Sequence, residues 1–365
     1  MGRRFKISVY TLFIILSAEQ SVFSQHVDSI SFKLNPRLSF YSYEDSGEML
    51  LYVPQNMIYN HIEVSLNSFE KELVIWKGIP HKKIVRIQLS LNLGTSTKMI
   101  DAVIRISGRP TIYTASAELL VLDYKSNEVK TDRLTGGLIV NKREFFHFGF
   151  YTYTPVQPTL PEEEVVKGFN MISPYQRILP ETFAMRKKYM DRCAQLGMKV
   201  HYNLLSVSGG GGVGSKIEDL TERQKRELLV KEIEAFRDHP ALLAWYIADE
   251  PTGNKIIPDS LSKIYTIVKE LDPWHPVSIV FMAPFMSSRQ YADALDIVMA
   301  DPYPVPDYPI SMAGDAAGQL TTEFGGKKPV WIVPQAFGGG EWWGREPSLQ
   351  ELRSMTYQSI IKGAR

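Results

Sequence analysis

Cysteine is almost missing from this chain. Cys193 is the only one in 365 residues, so no internal disulfide can form and burial alone must stabilise the fold, as a chain of this length allows. Cys193 falls at helical spacing with Met185, Tyr189 and Leu196 and reads as a core residue rather than a nucleophile. A dominant charge is lacking too. The 41 Lys and Arg against 40 Asp and Glu leave a formal +1, which provides no field to hold a polyanion or an acidic membrane. Nucleic acid is therefore not an expected partner. No His, Cys and carboxylate set has metal-ligand spacing, so neither a metal nor another cofactor is expected. Beyond the amino terminus no apolar run is long enough to span a bilayer, and no Asn-x-Ser/Thr acceptor occurs.

What is present begins with a leader. Arg3, Arg4 and Lys6 precede an apolar run from Ile7 to Ala18, and Val22 and Ser24 stand three and one positions before a cut ahead of Gln25. That is the layout of a secretory signal peptide over 1–24, and the run falls short of the roughly 20 residues a spanning helix needs. A secreted or periplasmic protein is expected, with no membrane attachment once the signal is removed. No cysteine adjoins the cut, which argues against a lipoprotein.

The rest changes period near residue 140. Ile62, Val64 and Leu66, then Val85, Ile87, Leu89 and Leu91, then Leu120, Leu122 and Tyr124 alternate with more polar neighbours. Short strands with no helical stretch among them predict an antiparallel β-sandwich over 28–125. A polar segment over 126–144, with Gly136 and Gly137, reads as a linker or a crossing strand.

From 145 to 365 the grammar is strand, loop, helix, repeated. Strands are expected at 145–151, 168–172, 198–205, 242–248, 276–282, 297–300 and 330–333. Between them lie helices opened by the capping pairs Thr221 with Gln224 and Ser348 with Glu351. Seven near-continuous apolar strands with helices between them predict a (β/α)₈ TIM-type barrel that stops before its eighth strand. A doubly wound sheet is the alternative, but no glycine-rich phosphate loop follows the first strand. The run Gly209 to Gly212 follows the third strand without a Lys-Ser/Thr ending and reads as a flexible loop.

Barrel chemistry sits at the carboxyl ends of the strands. Those ends supply Tyr151 and Tyr153; Ser173 and Tyr175; His201 and Asn203; Asp249-Glu250-Pro251; Asp301-Pro302-Tyr303; and Gln335 followed by Glu341, Trp342 and Trp343. Carboxylates, amides and aromatics on one rim suit a carbohydrate: acids protonate and assist a glycosidic oxygen, amides bind hydroxyls, and aromatic faces cover the apolar side of a sugar ring. Glu250 and Asp249 are the catalytic candidates. Tyr151, Asn203, Asp301, Tyr303, Gln335, Glu341, Trp342 and Trp343 are the substrate-binding ones. The bland readings are turn capping for Asp249 and Asp301, ordinary packing for the tryptophans, and a satisfied core position for His147.

The stretch Ala244-Trp245-Tyr246-Ile247-Ala248-Asp249-Glu250-Pro251 resembles the motif carrying the general acid/base in the clan of retaining (β/α)₈ glycoside hydrolases, in particular the β-galactosidase and β-glucuronidase group with its preceding β-sandwich. The resemblance implies that Glu250 donates the proton to the leaving oxygen. It also implies a nucleophilic Glu at the end of strand seven, where this chain has the neutral Gln335. Glu323, in Thr322-Glu323-Phe324-Gly325, mimics that motif from the preceding helix, at the wrong end of the barrel. Three alternatives are open. Asp249 beside Glu250 resembles the Asp-Glu pair of hexosaminidases, in which the substrate's 2-acetamido group attacks and no enzyme nucleophile is needed. Glu341 or Asp301 could be the second carboxylate, with Gln335 binding a hydroxyl. Or the barrel binds carbohydrate without turnover.

Overall fold

Two antiparallel sheets begin the part of the chain covered by the computed structural model, which describes residues 31–67, 72–91, 95–212, 217, 220–340 and 342–365. The leader expected over 1–24 lies outside the described residues. One sheet has the order β1 (Lys33–Pro36), β2 (Ser46–Tyr52), β5 (Ile84–Ser90). The other has the order β4 (Glu72–Gly78), β3 (Ile62–Asn67), β6 (Ser96–Ile106), β7 (Ile112–Val121). On β5 Val85, Ile87 and Leu89 are buried while Arg86, Gln88 and Ser90 are exposed, the alternation of a half-buried strand.

The segment expected to be a linker is itself a sheet. Strands β8 (Val129–Thr131), β9 (Leu138–Val140) and β10 (Arg143–Phe145) pair antiparallel in the order β10-β9-β8. Three-residue strands among polar neighbours leave little periodic trace, which is why they escaped the sequence. Their apolar side chains Val129, Leu138, Val140 and Phe145 pack with Met171, Leu243 and Ile297 at the starts of the barrel strands, so the sheet plugs the amino-terminal end of the barrel. It is also tied to the first strands: Arg37 pairs with Asp132 at 2.7 Å, and the buried Lys130 ammonium meets Glu44 at 2.7 Å and Glu128 at 3.2 Å.

Seven parallel strands follow in sequential order: β11 (Gly149–Tyr153), β12 (Met171–Tyr175), β13 (Lys199–Asn203), β14 (Leu242–Asp249), β15 (Val277–Phe281), β16 (Ile297–Ala300) and β17 (Val330–Ile332). Helices α1 (Leu160–Val165), α2 (Phe183–Gln195), α3 (Leu205–Ser208), α4 (Glu222–Phe236), α5 (Pro258–Leu271), α6 (Met312–Glu323) and α7 (Leu349–Lys362) lie between or after them. Both expected capping boxes form, on α4 and α7. The first strand starts later than its apolar run suggests, because Phe145 belongs to β10. At Gly149 a Cβ would fall 2.3 Å from the Met171 carbonyl oxygen, so only glycine admits the neighbouring strand.

The sheet is covered on both faces. Every residue of β14 is buried, with Trp245 in the outer core beneath the helices and Ala244 and Tyr246 in the inner one. Cys193 is buried on α2 in the outer core. The strands curl until His147, just ahead of β11, stacks on Trp331 of β17 with ring centroids 3.7 Å apart. This is a TIM-like half-barrel with seven strands among the described residues. On the flank of β17, the backbone N–H of Arg365 donates to Val330.

One ion pair joins α2 to α4 inside the outer layer. Arg186 and Glu232 are both buried, with Arg186 Nη2 donating to Glu232 Oε2 at 2.9 Å, and the Tyr202 hydroxyl also donates to Glu232. Removing one partner strands a buried charge. Arg186→Met is expected to lower unfolding stability by about 3–5 kcal/mol, measured by urea denaturation; a loss under about 1 kcal/mol would mean that Glu232 is not held as a charge.

Candidate active site

The end of β14 breaks the two-residue alternation. Pairing with β15 shifts register between Tyr246 and Ala248, and Ile247 and Ala248 both join the outer core. One extra residue on the strand returns the next side chain to the inner face. Asp249 therefore lies on the same side as Tyr246, accepting from the Tyr246 hydroxyl at 2.7 Å and from the Tyr175 hydroxyl at 3.2 Å. Glu250 then adopts φ +47°, a left-handed conformation that side-chain-bearing residues seldom take. It is held there by its own N–H donating to Val280 at 2.9 Å and by Asn254, whose backbone and side-chain nitrogens both donate to its carbonyl.

The glycine run is part of this construction rather than a flexible loop. A Cβ on Gly210 would lie 1.8 Å from the Ile247 carbonyl oxygen, and the Gly210 carbonyl accepts from Asp249 N–H at 2.9 Å. The loop packs straight onto the backbone of β14. Side chains there would lift it off the strand end that carries the acids.

Asp301, the first residue after β16, faces Glu250. The Asp301 carboxyl lies within electrostatic reach of Glu250 and Asp249 and of the Tyr303 hydroxyl. Burial raises both acids above the usual carboxylate range. The raise is larger for Asp301, to which the charges of Glu250 and Asp249 add, and Asp249 adds to that of Glu250 as well. Asp249 is raised by burial against the opposing pull of its two phenols. Neighbouring carboxyls oppose each other's ionisation, so burial and the nearby charges together favour the protonated form of Asp301.

Phenols line the same place. Tyr151 meets Tyr175 in a tilted contact at 5.2 Å and stacks on Tyr246 at 6.2 Å, and its hydroxyl, like Asp301 Oδ1, is buried without a partner among the described residues. Asn203 is buried, with Oδ1 accepting from Leu205 N–H and Nδ2 unpartnered. Tyr303, Phe337 and Trp343 meet edge-on with centroids 5.0–5.8 Å apart. Trp342 beside them is 73% exposed, and the Gly339 N–H donates to the Trp343 carbonyl to close the loop. Glu341 lies outside the described residues.

Gln335 is not available to a substrate, contrary to expectation. It is fully buried, its oxygen accepts from Val305 N–H at 2.8 Å, and its amide nitrogen donates to the carbonyls of Val305 and Phe337 at 3.0 Å each. It clamps the loop carrying Tyr303 to the loop carrying Phe337. Glu323 ends α6, the helix that leads into the amino-terminal end of β17, as expected from its place in the chain. His147 is part-buried just ahead of β11 rather than a satisfied core residue, and its Nδ1 has no partner among the described residues. Burial holds it and His201 neutral, each with its pKa lowered to about 3. His201 bridges Ser173 and Ser278 at 2.9 and 2.6 Å and stacks beneath Tyr246. Tyr246 is the site residue that sequence reasoning left out, while Tyr175 was read at the rim without a role. The alternation of β14 puts Tyr246 and Asp249 on opposite faces unless the bulge is known.

Two outcomes test this geometry. The folded-state pKa of Asp301 lies above its unfolded value near 4, so the stability it contributes is complete below about pH 4 and is lost as pH rises through the folded value. Asp301→Asn should therefore need more urea to unfold than the wild type at pH 8, and the gap should close toward pH 4; a gap independent of pH contradicts the raised Asp301 carboxyl. Gln335→Glu sets a carboxylate oxygen against two carbonyls and is expected to cost about 3 kcal/mol of stability, read from the same denaturation curves.

No family model matches the chain, and no curated protein matches it. Among solved structures it is similar to a GH2 β-galacturonidase from Eisenbergiella tayi bound to galacturonate, at 14% identity and a TM-score of 0.49 over 90% of this chain and 63% of that one. It is also similar to a β-glucuronidase of Bacteroides uniformis, at 11% identity and TM-score 0.45 over 90% and 43% of the two chains. A β-glucuronidase from Ruminococcus gnavus in complex with D-glucuronic acid gives 10% identity and TM-score 0.43 over 91% and 59%. The chain thus spans less than two thirds of the length of each.

Proposed function

We propose that this chain is the β-sandwich and barrel portion of a secreted glycoside hydrolase, with Glu250 as general acid/base. The observation that carries the reading is the cluster of acids at the rim: Asp249 bonded by two phenols, Glu250 in a left-handed conformation the surrounding bonds enforce, and Asp301, with Asp301 Oδ1 and the Tyr151 hydroxyl buried without a partner among the described residues. Glu250, part-exposed at the rim, passes its proton to the glycosidic oxygen as the bond from that oxygen to the anomeric carbon breaks. Asp249, fixed by two phenols, supplies negative charge beside the developing oxocarbenium ion. Water adds to the anomeric carbon and returns the proton to Glu250. The open aromatic edge formed by Trp342 and the Tyr303–Phe337–Trp343 group covers neighbouring sugar rings.

A second reading has its own observation. Gln335 stands where the resembling enzymes carry their nucleophile and is sealed in backbone hydrogen bonds, which favours a barrel that binds carbohydrate without cleaving it. Hydrolysis of aryl glycosides, or of glycans where the leaving group is recognised, separates the two. Under the first reading Glu250→Gln lowers turnover by about 10²–10⁴-fold while sugar binding measured by calorimetry persists. A wild type that binds sugar and never cleaves it establishes the second.

A further inference from the structure

We infer that Asn254 is the positioning residue of Glu250: one side-chain amide, set between the acid's own turn and the glycine loop, fixes where the carboxyl is presented. The role rests on the reading of Glu250 as proton donor and adds what holds that donor in place. Asn254 Nδ2 donates to the Asp249 carbonyl at 3.0 Å and to the Glu250 carbonyl at 3.2 Å, and the Asn254 backbone N–H donates to the Glu250 carbonyl at 3.1 Å. Successive carbonyls of an extended strand point to opposite edges, so a single amide reaches both only where the chain turns over between them. Glu250, at φ +47°, is that turn. Both hydrogens of the amide are then spent on the main chain, and Asn254 acts on the chemistry through Glu250 rather than on a sugar.

Both sides of the amide are closed by neighbouring segments. A Cβ on Gly211 would stand 2.8 Å from Asn254 Nδ2 and 3.1 Å from the Asp249 carbonyl oxygen, and a Cβ on Gly212 would stand 3.2 Å from Asp249 Oδ2. Bare backbone of the glycine loop therefore lies against the amide and against the first acid. From the other direction, Ile256 N–H donates to the Pro251 carbonyl at 2.8 Å, and a Cβ on Gly253 would stand 2.8 Å from Met282 Sδ. The turn carrying Asn254 is thus fixed against the end of β15. Two facing carbonyls also decide the residue type: only an NH₂ group satisfies them, and an aspartate of the same size would set acceptor against acceptor.

Asn254→Ala and Asn254→Asp test this in the whole chain. The first readout is a carboxyl ¹³C NMR titration of protein labelled at glutamate Cδ, with the Glu250 signal identified by its loss in Glu250→Gln. The second is kcat and KM on an aryl glycoside that the wild type cleaves. Burial raises Glu250 in the wild type; a carboxyl released into water should titrate closer to an ordinary glutamate, near about 4.3. Turnover should fall by about 10²-fold while KM changes by less than about threefold. Gly211→Ala, which displaces the amide from the other loop, should reproduce the fall, and the double variant should lose little more than either single one. If Asn254→Ala does not fold, Asn254→Asp makes the same comparison. A variant that is only less stable to urea, with the titration and turnover of the wild type, is an altered turn residue and overturns the inference. A change confined to KM overturns it as well, because Asn254 would then touch the sugar. A wild type that cleaves no glycoside overturns the reading of Glu250 as proton donor, and the titration alone then judges Asn254: an unmoved Glu250 signal overturns its role, a lowered one supports it.

Discussion

The site depends on one residue too many in β14. A strand that kept strict alternation through Tyr246 would send Asp249 to the helix side and Glu250 to the inside. The register shift between Tyr246 and Ala248 restores Asp249 to the inner face. The left-handed turn at Glu250 then swings the chain so that the second acid comes within electrostatic reach of Asp301 rather than following the strand outward. A side-chain-bearing residue in that region costs of order 1–3 kcal/mol. The Val280 and Asn254 hydrogen bonds and the glycine loop laid against Ile247 offset that cost. Without the bulge there would be two acids on two faces, and no site.

Burying acids costs more stability than bending a backbone, and the remainder of the fold absorbs it. Asp249 has two phenols, burial and neighbouring charge favour a protonated Asp301, and His201 below them stays neutral between two serines. Rigid surroundings hold these groups in place. The three-stranded plug closes the barrel's lower end, ion pairs fasten that plug to the first sheets, and the Arg186–Glu232 pair locks α2 to α4 outside the strands. Carboxyls in a looser frame would separate, take up water and ionise independently.

Most of the barrel was legible because both faces of each strand are buried, so Leu242 to Ala248 or Ile297 to Ala300 reads as an unbroken apolar run, and because caps such as Thr221 with Gln224 mark where helices begin. The position of Glu250 was legible for the same reason: an acid ending such a run has to lie at the rim. What could not be read is what one-dimensional period conceals. Strands β8 to β10 are too short to show alternation, and Phe145 was assigned to the wrong strand because apolar residues of β10 abut those of β11. Tyr175 and Tyr246 join the acids only through the bulge. The glycines at 209–212 looked like slack because their reason, contact with a neighbouring backbone, is not written in their own segment.

Gln335 shows how the same residue can be located correctly and understood wrongly. Its place after the seventh strand followed from periodicity, and a side chain there was expected to face the sugar. Instead its amide spans two loops, using donors and acceptor together in a way no carboxylate could reproduce. That clamp holds Tyr303 near Asp301 and Phe337 near Trp343, so one neutral residue links the placement of the aromatic edge to the acids.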